Sequence, residues 1–167
     1  MLSGRMISEA PYFFSVTAVS VTLAGFSGLV AAFRRGDQLR SGDVFHLRGI
    51  AETGLANALI ALMTIPVATI AGDLRTATRI VSAVVLVHVA VQIAVFAWRQ
   101  QRMSIRVGVP QAVVAVTIDV AITALAVVTI VLGSIGAYEF LLLLLLARPM
   151  WDFVRVLRET TGPDVRP

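Results

Sequence analysis

Four stretches of the chain are apolar over lengths that match a bilayer, a fifth is shorter, and the polar positions fall mainly between them. The first covers residues 12–33 and stops at Arg34 and Arg35, the second 49–71, the third 80–98 and the fourth 112–132, none with an internal Lys or Arg. A transmembrane helix needs about 20 mostly apolar residues, so each of these four predicts one crossing. The first is too long for the apolar region of a signal peptide. A fifth apolar run, 140–147, is too short to cross alone. A crossing there has to extend over 137–157 and take in Arg148 and Asp152, which stand at i,i+4 and could pair on one helical face. Periodicity and length therefore predict an all-α fold, a polytopic transmembrane bundle of five spans forming a single integral membrane domain over 1–167. Residues 158–167 read as a disordered tail.

Charge gives these spans a direction. All fourteen basic residues are arginine, and eleven flank the same ends: Arg34, Arg35, Arg40 and Arg48 after span one, Arg99, Arg102 and Arg106 after span three, and Arg148, Arg155, Arg158 and Arg166 around the last. Arg5, Arg75 and Arg79 fall on the opposite side. Cytoplasmic flanks carry the excess of Lys and Arg, which predicts an outside N-terminus and a cytoplasmic C-terminus in a cell membrane. The chain's size and its use of arginine alone suggest a bacterial inner membrane. The connector RRGDQLRSGDVFHLR reads as an interfacial cytoplasmic segment, with His46 a solvated loop residue.

Composition agrees with lipid as the solvent: 57% of residues are hydrophobic, 14% are charged and mean hydropathy is +0.87. The pI of 11.0 could suggest a nucleic-acid partner, but the arginines sit at helix ends without interleaved aromatics, so no nucleic acid is expected. The absence of cysteine excludes disulfides, thiolate metal sites and a cysteine nucleophile.

Small residues mark where helices meet. Span one places Ser20, Ala24, Gly28 and Ala32 at four-residue intervals, and span two offers Ala51, Gly54, Ala58, Ala61 and Ala68. Such ladders let backbones approach closely where lipid supplies no hydrophobic drive. They serve either packing within the bundle or a contact with a second copy of the chain or another membrane protein. Pro66 predicts a kink in span two, with the Thr64 hydroxyl replacing part of the lost hydrogen bond.

Polar residues inside the spans converge by depth. At about 1.5 Å per residue, Asn57 and Asp119 lie roughly 11 to 12 Å from the cytoplasmic end, Gln92 near 10 Å, Arg148 about 13 to 14 Å and His88 about 15 to 16 Å. Four helices thus contribute to one layer, and an ionised Asp119 there needs the cation that Arg148 supplies. Two readings follow: a structural network holding the helices in register, or a conduit in which Asp119 and His88 relay protons or bind a cation while Asn57 and Gln92 line the path.

Enzyme motifs carry less. Gly25-Phe26-Ser27-Gly28 resembles the GxSG nucleophile segment of rhomboid intramembrane serine proteases, which would make Ser27 the nucleophile and His88 its base. The resemblance covers four residues. Ser27 lies about 9 Å from the cytoplasmic end, well short of the depth of His88, and a nucleophile needs its base within hydrogen-bond reach. Haem ligation wants paired histidines, and only His88 is intramembrane. Nucleotide, dinucleotide, HExxH zinc and calcium-loop motifs are absent, so no cofactor and no metal are expected. The sequence favours a small non-enzymatic membrane protein, an oligomeric or accessory component of a membrane complex. A channel or proton- or cation-coupled transporter is the alternative.

Overall fold

The computed structural model describes residues 2–33, 41–103 and 109–161. Within them the chain forms five helices and no strand: α1 Leu2–Phe33, α2 Ser41–Ala71, α3 Leu74–Met103, α4 Val109–Leu132 and α5 Ile135–Thr161. Four contain stretches long and apolar enough to cross a membrane, Glu9–Val30, Leu47–Ala71, Leu74–Trp98 and Ala112–Leu132. Many large apolar side chains face outward, among them Phe14, Leu59, Val120 and Phe140. That surface is stable only against lipid, and the chain is a membrane-embedded, multi-pass helix bundle.

The fifth helix is not among these four and carries Glu139, Arg148, Asp152 and Arg155, yet it is central to the packing of the bundle. It packs against all four other helices, and Tyr138, Leu141, Leu142, Leu145 and Leu146 are buried. Contacts along it run in order. The Tyr138 hydroxyl meets Thr64, the Leu145 carbonyl meets Asn57, and Val156 packs with Leu47 and Ile50. α5 is therefore antiparallel to α2 from Leu47 to Thr64. Its 27 residues extend about 40 Å, more than the roughly 30 Å hydrocarbon core. The side of α5 that packs against other helices does not need to be apolar, and this lets Arg148 meet Asp119 of α4 within the bundle.

Two tight turns set the antiparallel pairs. Gly72 and Gly133 adopt φ of +70° and +62°, the left-handed conformation that ends a helix with little penalty in glycine. Asp73 then caps α3, its carboxylate accepting from the Thr76 N–H and hydroxyl, both at 2.9 Å. Ser134 caps α5 by accepting from the Ala137 N–H at 3.3 Å. The Arg79 guanidinium lies over Gly133 and donates to the Val131 carbonyl at 3.3 Å, favourable charge at the C-terminus of α4.

Several boundaries differ from expectation. α3 begins at Leu74 rather than residue 80, because the Asp73 cap satisfies its first turn. The second half of the connector, expected as an interfacial segment, forms the first turns of α2 from Ser41, so His46 stands on a helix, although its side chain lies outside the described residues. The tail is helical to Thr161, and residues 162–167 lie outside the description. The Thr64 hydroxyl does not serve the gap left by Pro66, which frees the Leu62 carbonyl; it turns instead to the Ile60 carbonyl at 3.3 Å and to Tyr138 at 2.6 Å.

The small-residue ladders divide between two roles. Gly54 sits against α1 so closely that an added Cβ would come within 2.9 Å of the Ser20 carbonyl oxygen and 3.2 Å of the Ala24 Cβ. Ser20, Ala24, Ala58 and Ala61 are buried. The contact face of α1 continues through Ser27, which is fully buried, not through Gly28 and Ala32, which are exposed. Nothing lies within 4 Å of a Cβ placed on Gly25 or Gly28.

Candidate functional site

The sequence scatters Asn57, His88, Gln92, Asp119 and Arg148 over α2, α3, α4 and α5, and the fold brings all five to one cleft of about 80 Å³. Gly49, Glu52 and Thr53 of α2 and Asp152 of α5 also line it. These positions lie toward the end of the bundle where Leu47 and Val156 meet. The cleft rises from that end to His88 and Ile122. Beyond them Ala61, Val85, Ala126, Leu141 and Tyr138 are fully buried, which closes the axis. The result is a polar recess open at one side of the bundle, with room for several water-sized groups.

An ion pair forms part of its wall. Arg148 Nη1 donates to Asp119 Oδ1, with 23% and 12% of the two side chains exposed. Each charge here is tolerable because the other is present, since an ion in a low dielectric has lost its hydration and only an opposite charge or hydrogen-bond partner offsets that loss. The same two residues also border a wider groove of about 660 Å³. Its walls include Ile93, Val116, Val120 and Trp151. The ion pair thus separates a polar recess from an apolar groove facing lipid.

A second polar link was not anticipated. Pro149 lies inside α5 and has no N–H, so the Leu145 carbonyl four residues earlier loses its helical donor. Asn57 supplies the replacement, its Nδ2 donating to that carbonyl at 2.8 Å. Asn57 is 1% exposed. Since a carbonyl can only accept, the amide must turn its nitrogen toward Leu145, and this fixes where Oδ1 points. Asn57 Oδ1 is buried and has no hydrogen-bond partner. Position 57 was legible as part of the polar layer. Its partner was not, because a backbone carbonyl becomes available only once Pro149 is recognised as interior to a helix.

His88 and Gln92, one turn apart on α3, are half-buried and face the cleft. Ser27 does not line it: its hydroxyl donates to the Ala24 carbonyl at 2.7 Å on the fully buried face of α1. Toward the opposite end, Tyr138 packs its ring against Phe13 and the Tyr12 hydroxyl donates to the Glu139 carbonyl at 2.6 Å. This aromatic cluster joins α1 to α5 above the cleft. Among the described residues no group of three or more His, Asp or Glu converges as a metal site would require.

Neither the protein-family models nor the curated proteins nor the solved structures contain a match to this chain.

Proposed function

We propose that this chain is a small, non-enzymatic integral membrane protein that acts as an oligomeric or accessory component of a membrane complex, its polar layer holding the five helices in register. The observation that carries this reading is the second face of α1. Gly25 and Gly28 offer open space, and Phe26 and Leu29 beside them are about half exposed. Gly25, Gly28 and Ala32 fall within about 60° on a helix of 3.6 residues per turn. This face is distinct from the Ser20, Ala24 and Ser27 face that meets α2. A small-residue face of this kind admits another helix at close range. The polar groups support the same reading from inside: Asp119 and Arg148 answer each other, and Asn57 answers a carbonyl of α5. The arginine asymmetry supports an outside N-terminus and a cleft mouth toward the cytoplasm, and the chain's size and its use of arginine alone support a bacterial inner membrane.

The test is the mass of the purified protein in mild detergent, together with whatever co-purifies. The reading expects a multiple of the 17.9 kDa chain or a stable membrane partner, reduced to the single chain by Gly28→Ile. A lone monomer for the parent protein contradicts it.

The cleft itself favours a second reading, in which Asp119 and His88 carry protons or a cation along a path lined by Asn57 and Gln92. Proton flux in liposomes that falls in Asp119→Asn supports conduction. No flux in the parent, or the same flux in the variant, removes it.

A further inference from the structure

A groove between α3, α4 and α5 opens on the lipid-facing side of the bundle and holds about 660 Å³. On α4 it runs from Ala112 to Ala124, about 18 Å of helix, which is close to the depth of one leaflet of a hydrocarbon core roughly 30 Å thick. Its walls are reachable as well as apolar, since Ile93, Val116, Val120 and Trp151 are each about half exposed or more. An apolar groove of this length takes an acyl chain. The mouth decides which lipid carries it. Ala112 precedes Asp119 by seven residues and Arg155 follows Arg148 by seven, so the Asp119 to Arg148 contact in this antiparallel pair sets Arg155 level with Ala112, where the apolar stretch of α4 begins. Arg155 therefore stands at the membrane boundary, one turn from Trp151 on the same face of α5, and both line the groove.

We propose that this groove is a binding site for one anionic phospholipid, an acyl chain lying along α4 and the headgroup phosphate seated on Arg155 beside Trp151. A guanidinium fork matches a phosphate and carries several N–H donors, so the interaction that Arg155 has within the chain does not exhaust its donors. Arg148 lies deeper and answers Asp119. Asp152 also lines the groove, and its carboxylate can accept from the hydroxyls of a phosphatidylglycerol headgroup, whereas a choline headgroup has no donor to offer. Arginine in a groove between helices near the membrane surface recognises anionic headgroups, and an interfacial tryptophan anchors the same level. A second copy of the chain is the competing occupant. Eleven of fourteen arginines flank the same ends of the spans, so a parallel copy brings like charge to this mouth. The exposed Val116, Val120 and Trp151 also stand where a closely packed helix needs small residues.

The groove's own tryptophan reports its occupant. Trp98→Phe leaves Trp151 as the sole tryptophan of the full-length chain, and this protein is reconstituted in phosphatidylcholine vesicles containing an increasing fraction of phosphatidylglycerol with brominated acyl chains. Bromine quenches the indole on contact. Lipid that merely surrounds the protein quenches in proportion to its fraction, whereas a preferred site fills early. The expected result is quenching that saturates at a low fraction of brominated phosphatidylglycerol and stays proportional for brominated phosphatidylcholine. Arg155→Gln, which keeps the apolar walls, should raise the half-saturating fraction about fivefold, the effect of losing one arginine contact to an anionic headgroup. Ala115→Phe, which fills the groove and keeps Arg155, should weaken the same response. Proportional quenching by both lipids, identical curves for the two, or an unchanged half-saturating fraction in Arg155→Gln overturns the proposal. Absence of quenching by either lipid also overturns it, as a groove covered by a second copy would give.

Discussion

Single residues do most of the specifying where lipid cannot. Asp119 and Arg148 are each expensive alone in the hydrocarbon region and acceptable together. Asp119→Asn and Arg148→Gln should each lower the stability of the detergent-solubilised protein, and the double variant should lose less than the two single losses combined. A coupling of about 1 to 3 kcal/mol is expected in a thermal or denaturant cycle. Additive losses would mean that the two side chains do not act as a pair. This pair was legible in the sequence because depth in a membrane is one coordinate, and residue counts from each span's end supply it. The Asn57 link was not legible by the same counting. Depth placed Asn57 at the right level, but its partner is main chain, and that main chain is available because of Pro149, the residue after Arg148. Thr64 shows the converse case, in which a local explanation from Pro66 gave way to Tyr138, 74 residues away. Fully buried hydroxyls from distant segments leave no periodic trace.

At the level of helices, two glycines of similar sequence context are predicted to behave differently. Gly54→Ala brings a Cβ within 2.9 Å of a backbone oxygen, and overpacking of this kind costs about 1 to 3 kcal/mol. Gly28→Ala meets nothing within 4 Å and should change monomer stability by no more than about 0.5 kcal/mol. Thermal unfolding of both variants distinguishes the packed face of α1 from its open one; equal effects would contradict the division. The ladder pattern identified small residues correctly but could not tell which of α1's adjacent faces α2 would take. Helix starts were also read late. The Gly72-Asp73 turn carries its own signal, a left-handed glycine followed by an N-cap aspartate, which hydropathy alone passes over. The Thr76 N–H and hydroxyl hold the Asp73 carboxyl below the usual carboxylate range. A depressed folded pKa contributes stability above the ordinary aspartate value of about 3.9 and loses it as pH falls through the folded value. Stability at neutral pH should therefore fall in Asp73→Ala, and the difference from the parent should shrink on acidification through that window. A pH-independent difference would assign the effect to something other than the ionised cap.

For the whole molecule, the order of contacts along α5 matters most. Four crossings follow from apolar length, and an even number would leave both termini on one side. The fifth helix is too charged to be recognised by hydropathy, yet it runs beside α2 from Thr64 to Leu47 at the centre of the bundle. The charge of Arg148 is accommodated because Asp119 of α4 answers it. An odd number of crossings also places eleven of fourteen arginines on one face, in keeping with the positive-inside asymmetry. The absence of cysteine from the natural chain makes the decisive measurement direct. Single cysteines introduced at Ser3 and Val165 are probed in intact cells with a membrane-impermeant maleimide, before and after permeabilisation. The predicted result is labelling of Ser3→Cys from outside and of Val165→Cys only after permeabilisation. Labelling of both positions from the same side would contradict a charged fifth helix crossing the membrane.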